Sequence, residues 1–188
     1  RHVIQRVDAL LTVSEAMRRY AIERFGAPPA RVHTIVNGFN TAVFRPLDRA
    51  ASRRTLGLDG DDEIILYVGR FVEAKGLLEL LGAMGRLARQ RPRLRLALVG
   101  DGVMKDRLPG LLAERGLLDR TLLPGGLPPP EVATWIGACD TLTLPSWSEG
   151  YPNVVVEALA CGLPVVATDV GGTREIFDER RGRLIPPR

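Results

Sequence analysis

The chain has 188 residues, 45% hydrophobic and 26% charged, which suits one well-buried soluble domain with a tail or linker to spare. Its net charge of +4 favours anionic partners, but aromatics are only 5% and do not interleave with the basic residues, which argues against a nucleic-acid groove. No apolar run nears the ~18–20 residues of a membrane-spanning helix, and no secretion signal opens the chain. Lysine occurs only at 75 and 105, so the positive charge is almost all arginine. The plain reading is an arginine-biased, solvated surface, and it leaves peripheral contact with an anionic membrane open. Cys139 and Cys161 show no metal-ligand spacing and are expected on helices, reduced and buried. His2 and His33 stand near no other ligand or nucleophile, so neither a zinc site nor a Ser-His-Asp triad is expected.

Arg1 to Arg6 reads as the tail of a helix that begins elsewhere, as in a fragment of a longer protein. A strand is predicted over Ala9 to Val13, then a helix from Glu15 to Phe25, with Ser14 as N-cap and Gly26 as terminator. A second strand follows over Val32 to Val36, a turn at Asn37-Gly38, and an irregular stretch to Pro46. Residues 47 to 63 read as a connection with a helix near Ser52 to Leu56. Beyond it, short apolar runs alternate with longer helical patterns. Strands are predicted at Ile64–Val68, Leu94–Val99, Thr121–Leu123, Thr141–Leu144, Pro164–Thr168 and Arg183–Ile185. Helices are predicted near Leu77–Arg91, Val103–Arg115 (kinked or shortened by Pro109), Pro130–Ala138, Asn153–Ala160 and Thr173–Phe177. Continuous apolar strands separated by helices indicate a doubly wound α/β domain with a parallel sheet.

Glycines and prolines cluster after the strands: Gly69-Arg70, Gly100-Asp101-Gly102, Pro124-Gly125-Gly126 and Pro145-Ser146. Ligands of open α/β sheets bind at that carboxyl edge. Gly69-Arg70 and Lys75-Gly76 set two cations beside a helix N-terminus, a combination suited to a diphosphate. Gly100-Asp101-Gly102 lacks the third glycine of a dinucleotide fingerprint, since Lys105 stands in its place, and reads as a tight turn. In Ser148-Glu149-Gly150-Tyr151-Pro152-Asn153-Val154-Val155-Val156-Glu157, Pro152 as first helical residue would leave the N–H groups of Asn153 and Val154 free for a ligand. Glu157 is then a lone carboxylate in an apolar helix. It needs a partner, either two vicinal hydroxyls of a ribose or an arginine. The spacing of Glu149 and Glu157 does not favour a glycosidase acid/base pair.

These residues resemble the E-x7-E region of retaining glycosyltransferases of family 4. The similar strings are Glu149 through Glu157 with Ala158 to Thr168, Gly69-Arg70 with Lys75-Gly76, Val99 to Gly102, Pro145-Ser146, and Gly171-Gly172 with Glu175. Val13-Ser14, Asn37-Gly38 and Phe44-Arg45-Pro46 look like the end of that family's first domain and its linker. The resemblance implies one half of a GT-B fold, two Rossmann-like domains with the active site between them. Residues 1–46 would close the N-terminal, acceptor-binding domain. Residues 47–188 would form the nucleotide-sugar-binding domain, truncated at its C-terminus.

The resemblance further implies that Gly69, Arg70 and Lys75 hold the diphosphate and that Glu157 binds the ribose. Glu149 would contact the donor sugar, and Gly150, Tyr151, Pro152, Asn153 and Val154 would help hold sugar and phosphate. Glu149, Arg70 and Lys75 carry the catalytic expectation. The implied reaction is transfer of a hexose-type sugar, with retention, from a nucleotide diphosphate sugar to a glycan or lipid-linked acceptor. It needs no cofactor and no obligatory metal, and serves glycan, polysaccharide or glycolipid synthesis in the cytoplasm or at the inner membrane face. The alternatives are a GT-B sugar-nucleotide epimerase and a nucleotide-sugar-binding module without activity. The chain departs from the family in two respects: most of the first domain and the helices beyond Pro187-Arg188 are missing, and Asp178-Glu179-Arg180-Arg181-Gly182-Arg183 replaces the usual glycine-rich turn.

Overall fold

A computed structural model describes residues 4, 6–177 and 180–187. The helix tail expected over Arg1 to Arg6 falls largely outside them, as do Asp178 and Glu179. The chain opens with β1 (Leu10–Thr12), α1 (Glu15–Phe25) and β2 (Val32–Thr34), and the two strands pair in parallel. Ser14 starts α1 by accepting the Met17 N–H (3.2 Å), and Gly26 ends it with φ 69°, a left-handed turn that a side chain would strain. Both strands are shorter than predicted. β1 stops where Ser14 turns to cap α1, which leaves Ile35 and Val36 exposed without strand partners beyond Thr12.

The segment from 47 to 63 is more than a connection. Asp48 accepts the Ala51 N–H (2.6 Å) and starts α2 (Arg49–Leu56) a turn earlier than expected. From α2, Arg53 is buried at 3% exposure. It donates to the carbonyls of Ala138 (2.9 Å), Gly60 (2.6 Å) and Asp62 (2.8 Å) and to the Asp140 carboxylate (3.0 Å). One guanidinium thus ties α2 and its following loop to the base of the main sheet.

That sheet comprises β3 (Glu63–Val68), β4 (Leu94–Val99), β5 (Thr121–Gly125), β6 (Thr141–Leu144), β7 (Val165–Thr168) and β8 (Gly182–Ile185). All pairings are parallel, in the order β5-β4-β3-β6-β7-β8. The intervening helices are α3 (Leu77–Leu87), α4 (Leu108–Ala113), α5 (Pro129–Ala138), α6 (Asn153–Ala160) and α7 (Thr173–Ile176). Right-handed crossovers place α3 and α4 on one face and α5, α6 and α7 on the other. Covered on both sides, the central strands bury Ile64, Leu66, Leu96, Leu98, Leu142 and Val165 completely. The α/β, doubly wound expectation therefore holds.

Three local expectations need correction. α3 ends at Leu87 because Pro92 and the exposed Arg89, Gln90 and Arg91 carry no apolar face onward. The pattern over 103–115 divides into a 3₁₀ turn (Lys105–Arg107) and α4, and Pro109 lies in the first turn of α4, where its missing N–H costs nothing. Cys139 and Cys161 cap the C-termini of α5 and α6. They are buried and free, and burial pushes their thiols up to about 12 and about 11. Among the described residues, no helix is long and apolar enough to cross a membrane.

Candidate functional site

The strand order changes direction once. From β3 the chain moves outward to β4 and β5, then returns past β3 to β6 and moves the other way. The loops after β3 and β6 therefore diverge and leave a crevice at the carboxyl edge, where such sheets bind ligands. The predicted site residues lie on these two loops. Gly69, Arg70 and Lys75 follow β3; Glu149, Gly150, Tyr151 and Pro152 follow β6 and lead into α6, which carries Asn153, Val154 and Glu157.

The two loops are joined. Trp147 N–H donates to the Ala74 carbonyl (2.9 Å). Gly76, with φ 69°, packs so close to Pro145 that an added Cβ would overlap the Pro145 carbonyl oxygen. Lys75 Nζ bonds Glu149 Oε1 at 2.6 Å, with side chains only 19% and 8% exposed. Two residues that sequence reasoning assigned to different parts of a ligand are thus in direct contact. Beneath them, buried Tyr67 donates to the Arg70 carbonyl (2.9 Å) and holds the turn after β3. Burial, and then the Glu149 charge, push its phenol well above the usual range, so it stays a neutral donor. Arg70 is exposed, and among the described residues its guanidinium forms no ion pair.

Pro152 is the N-cap of α6, not its first residue. The consequence foreseen still follows, because a cap without a side-chain acceptor leaves the N–H groups of Asn153 and Val154 unsatisfied within the helix. One turn on, Glu157 is half-buried and makes no ion pair or side-chain hydrogen bond among the described residues. Burial alone raises its pKa. Among the described residues, no arginine partners it. Gly100-Asp101-Gly102 is the expected tight turn: Asp101 accepts from Gly102 N–H (2.7 Å) and pairs with Lys105 (2.8 Å).

Sequence reasoning missed Asn37 as a neighbour of this site. Its Nδ2 donates to Asn153 Oδ1 (3.2 Å) at the mouth of α6, across 116 residues of chain. No local pattern could reveal such a pairing. An apolar groove of about 590 Å³ lies elsewhere, on the α3 side of β6, β7 and β8, with Leu87, Val166, Ile185 and Pro187 in its wall. It includes none of the expected site residues, and we place the site at the crevice because the polar groups converge there.

Residues 48–188 match the model of glycosyl transferases group 1, and residues 1–43 match that of Glycosyltransferase Family 4. A D-inositol 3-phosphate glycosyltransferase from Thermobispora bispora is 39% identical over 183 residues, 92% of this chain and 42% of that protein. A sucrose-phosphate synthase from Thermosynechococcus elongatus superposes with a TM-score of 0.87 at 33% identity, over 100% of this chain and 47% of that one. Anabaena HepE in complex with UDP and glucose gives 0.87 at 26% identity, over 99% of this chain and 52% of that one. The chain thus spans about half the length of the proteins it matches. The six-stranded parallel sheet with its flanking helices is that of GT-B glycosyltransferases, and the chain belongs to the family of glycosyl transferases group 1.

Proposed function

We propose that residues 47–188 form the donor-binding domain of a retaining glycosyltransferase and that residues 1–46 are the end of its acceptor-binding domain and the linker. The contact between Lys75 and Glu149 carries this reading, because it joins the cationic loop after β3 to the helix mouth after β6. A diphosphate entering there meets Lys75, Arg70, the turn at Gly69 and the free N–H groups of Asn153 and Val154. Glu157 accepts two hydrogen bonds from the ribose hydroxyls, which gives its desolvated carboxylate a partner that the described residues do not supply. Glu149, with Gly150, Tyr151 and Pro152, positions the hexose.

During transfer the bond from the anomeric carbon to the diphosphate breaks, and a bond to the acceptor oxygen forms on the same face. The acceptor's proton passes to the departing diphosphate. The developing charge is stabilised by cations and helix N–H groups already in place, with no cofactor and no obligatory metal. The HepE complex supports a uridine diphosphate hexose as donor. The names of the curated relatives make D-inositol 3-phosphate the first acceptor to test, ahead of glycan and lipid-linked ones. We place the reaction in the cytoplasm, with the arginine-rich surface available for peripheral contact at the inner membrane face.

The test is incubation of the full-length protein with labelled UDP-glucose and D-inositol 3-phosphate, with the product resolved by NMR. Transfer with the α configuration retained is expected. An inverted product, or free epimerised sugar nucleotide, contradicts the reading.

A further inference from the structure

The loop that bears Glu149 is enclosed on two sides. On one side is the turn at Gly171-Gly172. Gly172 N–H donates to the Gly150 carbonyl (3.1 Å), and a Cβ on Gly171 would overlap the Glu149 carbonyl oxygen. On the other side is the first turn of α1. A Cβ on Gly150 would lie 2.9 Å from Met17 Sδ, and one on Gly172 would lie 2.6 Å from Ser14 Cβ. Ser14 is wholly buried there. Three segments far apart in sequence therefore meet at Gly150, Gly171 and Gly172, where the loop and the turn carry no side chain of their own to hold them apart.

Glu175 fastens this stack. Its Oε2 accepts the Glu15 N–H (2.8 Å) and its Oε1 accepts the Ala16 N–H (2.7 Å). A carboxylate from α7, 160 residues away, thus satisfies two of the orphan donors of α1, while Ser14 satisfies a third. α1 belongs to the N-terminal segment, and Glu175 follows directly on the glycine turn that grips the Glu149 loop. Moving α1 away must break the Glu175 bonds and free one wall of that loop.

We propose that Glu175 is a positioning residue: by clasping the N-terminus of α1 it presses the Glu149–Gly150 loop between α1 and the Gly171-Gly172 turn, so that the placement of the N-terminal segment sets the donor site. This rests on the donor-binding reading of that loop. The clasp acts on ligand binding by ordering the loop in advance, so that less order remains to be imposed by the ligand.

The test uses the whole chain, as wild type, Glu175→Ala and Glu175→Gln, with two readouts. Amide hydrogen exchange is measured at Glu15, Ala16 and the stretch from Ser148 to Tyr151, and the Kd for UDP is measured by titration. With Glu175→Ala, exchange rises at both α1 amides and also across Ser148 to Tyr151, and UDP binds about fivefold more weakly. Glu175→Gln keeps the length and one acceptor oxygen, and falls between the other two in both readouts. If the α1 amides open while the 148–151 stretch and the UDP affinity stay at wild-type values, Glu175 is a helix cap only and the proposal is overturned. If the wild-type chain binds no UDP, the donor-binding reading fails, and the exchange of the 148–151 stretch still decides whether the clasp exists.

Discussion

Breaking the Lys75–Glu149 pair has two separable consequences. The side chains are 19% and 8% exposed, so each charge left alone is poorly hydrated. Removing one partner of a fully buried pair costs about 3–5 kcal/mol. Lys75 keeps some access to water, so Glu149→Gln is expected to cost less, about 2 kcal/mol. Lys75→Met strands the better-buried carboxylate and is expected to cost about 3 kcal/mol. The double variant leaves no charge stranded and is expected to cost only about 2 kcal/mol, which gives a coupling energy of about 3 kcal/mol. Urea unfolding of the four proteins measures this cycle. In thermal unfolding each kilocalorie should appear as about 2–4 °C for a chain of this size. Additivity within about 0.5 kcal/mol would show that the two groups do not interact in solution.

The remaining predictions concern single residues. Burial holds the Glu157 pKa above its ordinary value, so the stability tied to its protonated form is fully present below that value and is lost as pH rises through the folded-state pKa. Glu157→Gln should therefore match the wild type in acid and exceed it in stability at neutral pH, while nucleotide affinity falls about tenfold; a variant less stable at neutral pH would contradict this. Gly76→Ala forces a left-handed φ and an overlap with the Pro145 carbonyl, and should destabilise by about 2 kcal/mol or more, read from urea midpoints. Arg53→Ala leaves the carbonyls of Ala138, Gly60 and Asp62 without this donor at the opposite edge of the sheet, while Asp140 keeps Arg49 and the Ile64 N–H. It should destabilise by about 3 kcal/mol with UDP affinity unchanged, a separation that calorimetry on the folded variant can check.

Much of this architecture was legible because its causes are local. The strands Leu94–Val99 and Thr141–Leu144 and the helix Asn153–Ala160 were bounded correctly by apolar runs and the glycines and prolines around them. α2 begins three residues before the expected Ser52 because Asp48 caps it, and no apolar periodicity marks that start. The candidate site was legible as two loops but not as one place. Lys75 and Glu149 are 74 residues apart, Asn37 and Asn153 are 116 apart, and Glu175 and Glu15 are 160 apart. Such contacts follow from the strand order, which periodicity does not reveal. Glu157 illustrates the other side of the matter. It is a local misfit, a carboxylate in an apolar helix, and among the described residues it has no side-chain partner, so its burial lowers the stability of the fold.

On the proposed function, the crevice between β3 and β6 binds a nucleoside diphosphate sugar through Lys75 and Glu157. Calorimetric titration of the chain with UDP-, GDP- and ADP-glucose, repeated on Lys75→Ala and Glu157→Ala, tests it most directly. One nucleotide sugar is expected to bind the wild type, and each substitution to weaken it about tenfold or more. At a hundredfold excess over Kd, that ligand should also stabilise the fold by about 2.7 kcal/mol. Binding of none of the three, or equal affinity in the wild type and both variants, would contradict it.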